Sequence, residues 1–165
     1  MRGRSALVGT AGTVAAAVLG NAFVGNESLT WFRGLRSPRW QLPMPGFFVV
    51  AAVYYVIMGV VLGRGVDRRA TGTVGWAVAV LAGNEAWNVL LFSRRSPRAA
   101  FFGLLAFLLP LGGLQRSVRR DRRSRLMVTA YTTYVVLYDI PWAYRLWRLN
   151  RSESHDGEPP VSPPT

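Results

Sequence analysis

The sequence predicts an all-α membrane protein built as a bundle of five transmembrane helices. Half of its residues are hydrophobic, the mean hydropathy is +0.19, and the apolar residues form continuous blocks. Each block is close to the roughly 20 residues that a helix needs to cross the hydrocarbon core. A backbone inside a bilayer finds no partners in the lipid, so helices are the expected form of such runs.

The elements follow from the apolar blocks, which occupy residues 5–24, 46–63, 71–92, 98–118 and 126–147. Together they predict one transmembrane domain over residues 1–150. The first block follows a basic start and holds small residues, as a secretory signal does, but its length and the four later blocks favour a retained helix. Residues 151–165 are polar, proline-rich and free of aromatic residues, which predicts a disordered tail.

The charge of the chain is explained by a membrane rather than by nucleic acid. The net charge is +12 and all 20 basic residues are arginine, but nearly all of them flank the apolar blocks. Lipid headgroups and the positive-inside rule account for arginine at such positions. We therefore expect the lipid bilayer as a partner and no nucleic acid.

The same arginines bear on orientation and origin. In a five-span topology eleven arginines lie on the side of the N-terminus and nine on the other side, which favours a cytoplasmic N-terminus. A basic set made of arginine without lysine indicates a GC-rich bacterial genome. We therefore expect a multi-pass protein of the bacterial cell membrane.

Several kinds of reactive site are excluded or unsupported. The absence of cysteine excludes disulfides and thiolate chemistry, and the single histidine, His155, falls in the predicted tail. The chain has no phosphate-binding loop and no recognisable hydrolase dyad. We assign no catalytic residue, no metal site and no obligatory cofactor.

Polar residues inside the predicted spans mark the interior of the bundle, because lipid exposure would cost several kcal/mol. These residues are Asn84, Glu85, Asn88 and Asp139. Glu85 and Asp139 lie at similar depths on the same side. They allow two interpretations: a proton path in a small transporter, or structural pairing with an arginine such as Arg145. We favour the pairing.

Two side-chain stripes are predicted on helix faces. Tyr131, Tyr134, Tyr138 and Trp142 share one face of the fifth block, where they serve either helix packing or a wall for a flat ligand. Gly75, Ala79 and Gly83 form a smooth face on the third block, which permits close approach of a helix of the bundle or of a second copy in a homodimer. Both pairs of alternatives stay open at this point.

The segment WFRGLRSPRWQLP, residues 31–43, carries a resemblance to a known family. The chain is similar to the TspO/MBR family, the tryptophan-rich sensory proteins, in the spacing of a set of first-loop and second-helix residues. These are Trp31, Leu35, Pro38, Trp40, Pro43, Phe47, Tyr55, Met58 and Gly59. The run NEAWNVLLF also resembles the family's third-helix motif through Asn84, Trp87, Asn88 and Phe92, and Tyr131 with the terminal WRLN resembles its last helix.

The resemblance implies a receptor or sensory protein whose first loop caps a pocket inside the bundle. The ligands implied are small, flat and hydrophobic, such as porphyrin or haem, or a sterol-like molecule. The ligand-binding residues it implies are Trp31, Trp40, Pro43, Phe47, Ala51, Tyr55, Asn84, Trp87, Asn88, Tyr134 and Tyr138. The small-residue face of Gly75, Ala79 and Gly83 is assigned to a homodimer interface.

The chain also departs from the family pattern. Ala51 and Tyr134 stand where many members have tryptophans associated with tetrapyrrole breakdown, which favours binding without catalysis. A tetrapyrrole-degrading enzyme and a small transporter using Glu85 and Asp139 remain the alternatives. Between Tyr131 and Asn150 the chain is one residue longer than usual, and Pro141 is predicted to kink or widen the helix there.

Overall fold

A computed structural model describes residues 10–14 and 25–151 of the chain. Every regular element within these ranges is helical. Most of the predicted first span, residues 5–24, and the predicted tail beyond residue 151 lie outside the described residues.

Beyond the helical residues 10–14, the described chain forms six helices. They are α1 (Asn26–Gly34), α2 (Met44–Asp67), α3 (Thr71–Asn88), α4 (Pro97–Ser117), α5 (Arg122–Tyr134) and α6 (Ile140–Leu149). A π-helical turn, Val89–Ser93, extends α3, and a second one, Val135–Asp139, joins α5 to α6. We call the continuous element from Arg122 to Leu149 the last rod.

Among the described residues, three helices are long and apolar enough to cross a membrane. They are Met44–Asp67, Thr71–Ser93 and Pro97–Ser117. The last rod is longer, but tyrosine, threonine and Asp139 make its middle less apolar. The described chain is thus an all-helical protein with membrane-spanning helices, whereas the predicted count of five spans depends partly on residues that are not described.

The helices begin and end where local chemistry sets their bounds. Pro45 and Pro97 lie in the first turns of α2 and α4, where a missing amide leaves no helical hydrogen bond unmade. Pro141 instead follows the π-helical turn inside the last rod, where its missing amide removes a helical hydrogen bond. The Ser96 hydroxyl accepts a hydrogen bond from the Ala99 amide at 3.2 Å and caps α4. After α2 the chain turns at Arg69, whose φ of 53° lies in the left-handed region.

The first loop, which the sequence places between the apolar blocks 5–24 and 46–63, begins with the helix α1. Phe32 of α1 is buried, and its ring centroid lies 5.7 Å from that of Phe92 and 6.1 Å from that of Trp142. Phe32 is the one buried residue of α1, so the sequence carries too weak a periodicity to predict this helix. Tertiary packing therefore holds α1 in place.

The part of the last rod in which the sequence predicted an extra residue contains a π-helical turn. Such a turn inserts one residue into an α-helix and is frequent at functional sites. The turn Val135–Asp139 ends two residues before Pro141, where the sequence predicted a kink or widening. The widening is present, and it brings Asp139 to the wall of a cavity.

The helices pack as a closed ring around an apolar core. α2 contacts α3, α3 contacts α4, and α4 contacts the last rod, which returns to α2 through α5. Fully buried side chains fill the middle, among them Met58, Val61, Val80, Leu111, Leu114, Val128 and Leu146. Large apolar side chains such as Phe48, Val53, Leu109 and Leu137 are exposed on the outside, as expected for surfaces that face lipid.

Candidate functional site

A cavity of about 360 Å³ lies beneath α1, between the first half of α2, the end of α3 and the last rod. Its wall is mostly aromatic and aliphatic. The lining residues are Leu29, Phe32, Met44, Phe47, Phe48, Val50, Ala51, Ala52, Tyr54, Tyr55, Asn84, Trp87, Asn88, Leu91, Phe92, Tyr131, Tyr134, Asp139 and Trp142. Phe48, Ala51 and Ala52 are also exposed, so the cavity opens along α2.

The structure brings together most of the residues that the sequence assigned to ligand binding. Those that line the cavity are Phe47, Ala51, Tyr55, Asn84, Trp87, Asn88 and Tyr134. The Trp87 indole is fixed by a hydrogen bond that its Nε1 donates to the Ala100 carbonyl at 3.1 Å. A rigid indole is suited to stacking, because little conformational freedom is lost on binding.

Four of the assigned residues are not among those lining the cavity. Trp31 is half-buried against the core, and Pro43 is exposed just before α2. Trp40 is 45% exposed and meets Tyr138 edge-on, with ring centroids 5.4 Å apart. Trp40 and Tyr138 thus belong to the contact between the first loop and the last rod, rather than to the cavity wall.

Several lining residues were not assigned from the sequence. Tyr131, Trp142 and Asp139 had been noted for their aromatic or polar character, and Phe92 for its motif, so a signal existed for each. Phe32 and Leu29 carried none, because α1 itself was not predicted. These two residues form the part of the wall that the first loop supplies.

Glu85 lies behind the cavity and is held by polar residues that line it. The Tyr55 hydroxyl donates to Glu85 Oε1 at 3.0 Å, and the side-chain amides of Asn84 and Asn88 donate to its two oxygens at 3.4 Å each. The polar group predicted on this helix is therefore a connected cluster. In this cluster two side-chain amides and one phenol donate hydrogen bonds to a single carboxylate, instead of facing the hydrocarbon without a partner.

The predicted pairing of an arginine with Glu85 or Asp139 is wrong within the described part of the chain. Its arginine-to-carboxylate ion pairs involve Asp121 and Glu27, not these two residues. Arg145 is exposed, and six residues along a helix place its side chain about 120° away from that of Asp139 around the axis. Asp139 instead has the Tyr134 phenol as its polar neighbour.

The first loop is clamped to the end of the last rod by a buried asparagine. Asn150 Oδ1 accepts from the Arg36 amide at 3.0 Å, and its Nδ2 donates to the Arg36 carbonyl at 3.0 Å. The same Nδ2 donates to the Leu146 carbonyl at 2.7 Å. One side chain thereby fixes the loop backbone and the last turn of α6.

Two further contacts fasten the later part of the loop. The Leu42 amide donates to the Tyr138 hydroxyl at 2.8 Å, and the Trp142 indole donates to Gln41 Oε1 at 3.0 Å. Trp142 also lines the cavity. The position of the loop and the shape of the cavity are therefore linked through the last rod.

The residues of the small-residue face that was assigned to a homodimer lie in different surroundings in the structure. A Cβ at Gly83 would lie 2.9 Å from Phe107 Cδ2, so Gly83 packs against α4 of the same chain. A Cβ at Gly75 has nothing within 4 Å, and Ala79 is half-buried. Gly83 is therefore corrected to an intramolecular contact, because a second copy cannot occupy the space that Phe107 fills.

The opposite end of the bundle holds a charged cluster. Asp121, in the connection between α4 and α5, accepts from Arg64 Nε and Nη2 at 2.7 Å each and from the Ser124 hydroxyl at 2.7 Å. Arg68 approaches the same carboxylate at 3.4 Å. The hydrogen bonds from Arg64 hold the pKa of Asp121 well below its usual range.

Comparison with known proteins agrees with the resemblance seen in the sequence. The family model for the TspO/MBR family matches residues 9–148. The search of curated proteins finds no match to this chain. Because the family match spans most of the 165 residues, including every element that builds the cavity, the chain belongs to the TspO/MBR family of membrane sensory and binding proteins.

Proposed function

We propose that the protein is a membrane receptor that binds a flat hydrophobic ligand, of the porphyrin, haem or sterol-like kind, in the cavity beneath α1. The observation that carries the proposal is an aromatic-lined cavity whose cover, the first loop, is fastened at Arg36, Gln41 and Leu42. A largely pre-formed apolar site with few polar groups is typical of small-molecule binding.

The wall offers chemistry that suits a flat ring system. Phe47, Trp87 and Tyr134 supply aromatic surface, while Asn84 and Asn88 supply amides that also contact Glu85. Aromatic contacts prefer offset or edge-on geometry and contribute about 0.5–1.5 kcal/mol each beyond burial. Stacking would therefore set the affinity, and the amides would set the orientation.

The size of the cavity limits how such a ligand sits. A volume of about 360 Å³ lies near the lower end of the roughly 300–1,000 Å³ common for ligand pockets. Ala51 and Ala52 leave the α2 side open, so a large macrocycle would extend through that opening. Its carboxylates, where present, would lie outside, within reach of first-loop arginines such as Arg33 and Arg39.

We propose binding without turnover. Ala51 and Tyr134 replace the tryptophans associated in the family with tetrapyrrole breakdown, and an enzyme would have to use Trp87 or Tyr134 as its redox-active aromatic. Transport by Glu85 and Asp139 is the other alternative, and proton-dependent flux in liposomes would support it. We place the receptor in the bacterial cell membrane, since arginine replaces lysine throughout the chain.

The test is a titration of purified protein with protoporphyrin IX in detergent, followed through the porphyrin absorbance band in the dark and under light. We expect saturable binding with a stable spectrum. Trp87→Phe should weaken binding about tenfold, roughly 1.4 kcal/mol, because it removes stacking surface and the hydrogen bond to Ala100. A light-dependent loss of the band with a new product would instead establish the enzyme.

A matched control is available on the same helix. Trp76 of α3 is 44% exposed and does not line the cavity. Trp76→Phe therefore removes one indole without changing the cavity wall. The affinity of this variant for protoporphyrin IX should equal that of the unaltered protein. Equal weakening by both variants would contradict the proposed location, and absence of any saturable binding would contradict the receptor itself.

A further inference from the structure

We propose that the cavity selects flat ligands that carry a protonated nitrogen, which the Asp139 carboxylate recognises. This inference rests on the proposed function and adds a preference within it: of flat ligands of equal shape the cavity binds the cation most tightly, while the carboxylates of a porphyrin or haem stay outside the cavity. It depends on where the π-helical turn places Asp139, on the charge of the wall and on the partners of the two interior carboxylates.

Asp139 reaches the cavity through a local feature of this chain. It is the last residue of the π turn Val135–Asp139, in the stretch that the sequence predicts to be one residue longer than the family pattern. Asp139 shares the cavity wall with Tyr134, whose ring stacks on Tyr138 behind the wall with ring centroids 5.2 Å apart and an interplanar angle of 19°. The carboxylate therefore lies beside one aromatic ring of the wall, Tyr134, on which a flat cation would stack.

The cavity wall is acidic. Among its described lining residues none is basic, and Asp139 is the one carboxylate. A second carboxylate, Glu85, lies immediately behind the wall and receives hydrogen bonds from Tyr55, Asn84 and Asn88. A ligand that enters therefore meets hydrogen-bond acceptors backed by negative charge.

Neither interior carboxylate is matched by a cation in the part of the chain that the structure describes. Arg64 and Arg68 pair with Asp121 and Arg95 pairs with Glu27, while other arginines near the cavity end, such as Arg33 and Arg145, are exposed. An unpaired carboxylate away from water is unfavourable, and a cation or strong donor relieves that penalty. The missing counter-charge is what a protonated ligand nitrogen would supply.

The experiment compares three tricyclic probes of nearly equal shape: 9-aminoacridine, which is a cation at neutral pH, anthracene, which is neutral, and anthracene-9-carboxylate. Each is titrated by fluorescence into the full-length protein in an uncharged detergent. We expect the cation to bind at least about tenfold more tightly than the neutral probe, and the anion least tightly. The net charge of +12 would produce the reverse order if long-range attraction decided binding.

Asp139→Asn should remove the preference for the cation while leaving the affinity for anthracene within about threefold. Glu27→Gln is the matched control: its side chain is 92% exposed and lies on α1, outside the cavity lining, so the preference should persist. The probe series on the unaltered protein tests the inference even where Asp139→Asn does not fold.

Equal affinity for the three probes, tighter binding of the anion, or an unchanged preference in Asp139→Asn would overturn the inference. Those results leave the receptor proposal standing, provided that protoporphyrin IX still binds saturably. Failure of all four compounds to bind would overturn both.

Discussion

Asp121 and Asp139 show how differently the two ends of one bundle accommodate a carboxylate. Asp121, at the connection between α4 and α5, accepts two 2.7 Å hydrogen bonds from Arg64 and one from Ser124. Asp139, at the cavity, has a tyrosine phenol as neighbour and no described arginine partner. The first carboxylate is satisfied by charge within the chain, and the second is not.

The difference separates stability from binding. A carboxylate with a bidentate arginine contributes to the fold, and its loss leaves a guanidinium without its partner. A carboxylate held by neutral groups keeps its capacity to attract a cation. We therefore expect substitutions at the end that holds the Arg64–Asp121 pair to change mainly the free energy of unfolding. Substitutions at the cavity end should change mainly the opening of the first loop and the affinity for the ligand.

The largest effect on stability is expected from Asp121→Asn. The side chains of Arg64 and Asp121 are 20% and 12% exposed, so the pair is largely removed from water. Breaking it should lower the free energy of unfolding in detergent by about 3 kcal/mol. Porphyrin affinity should change less than about threefold, because Arg64 lies nine residues, roughly 13 Å, beyond Tyr55 along α2.

Glu27→Gln is the control for Asp121→Asn, since it breaks an exposed pair with Arg95 at 3.4 Å. Exposed pairs contribute little, so its unfolding curve should overlay that of the unaltered protein. A larger loss of stability in Glu27→Gln than in Asp121→Asn would contradict the contrast between buried and exposed pairs.

A smaller effect, about 2 kcal/mol, is expected from Asn150→Ala at the cavity end. The substitution removes three hydrogen bonds, two of them to the backbone of Arg36. The first loop should then open more often, and trypsin should cleave after Arg36 or Arg39 several times faster. Mass spectrometry of the fragments over time measures the rate.

Ser37→Ala is the matched control in the same loop. The Ser37 hydroxyl donates only to the nearby Leu35 carbonyl at 3.4 Å, so its removal should leave the cleavage rate unchanged. If Asn150→Ala and Ser37→Ala are cleaved equally slowly, Asn150 is not the clamp that holds the loop.

Substitutions at Gly83 and Gly75 test the small-residue face of α3, which lies between the two ends. In Gly83→Ala the new methyl meets the buried Phe107 ring at 2.9 Å, which outweighs the gain in helix propensity and should cost about 1 kcal/mol. In Gly75→Ala the methyl meets nothing within 4 Å, so stability should be equal or slightly higher. Chemical unfolding in detergent measures both.

The same pair of variants tests the homodimer predicted from the small-residue face. A dimer built on the open part of this face should weaken in Gly75→Ala, because the added methyl separates the two helices. Light scattering in detergent reports the protein mass. An unchanged mass distribution in Gly75→Ala would place any dimer contact elsewhere.

The sequence predicted best what depends on length and composition. The block 71–92 lies within the helical stretch Thr71–Ser93, because a span needs a fixed number of apolar residues whatever its neighbours are. Lining residues such as Trp87 and Tyr55 were assigned through motif spacing. The sequence could not predict α1, because Phe32 is ordered by contacts with residues far along the chain.

Other features were missed because they depend on exact side-chain direction. Trp40 and Tyr138 were assigned to the pocket but meet each other beside it. The prediction that Asp139 pairs with an arginine is wrong because the number of residues between two side chains does not by itself show that they face each other around the helix. An extra residue in this stretch stays a prediction, whereas the π turn that presents Asp139 follows only from the folded backbone.

The smallest effect is expected from pH in the range between about 5 and 8. Hydrogen bonds from Arg64, and then from Ser124, hold the pKa of Asp121 below its ordinary value of 3.8. A carboxylate whose pKa is depressed by folding contributes stability above its unfolded pKa, and that stability is lost as the pH falls through its folded pKa.

The difference in melting temperature between the unaltered protein and Asp121→Asn should therefore stay constant between pH 5 and 8 and shrink below about pH 4. Comparing the two proteins cancels the pH dependence that they share, provided that the groups responsible lie too far away to couple with Asp121. A difference that already changes between pH 6 and 8 would show that the two ends are coupled, and would break the separation of stability from binding on which the comparison rests.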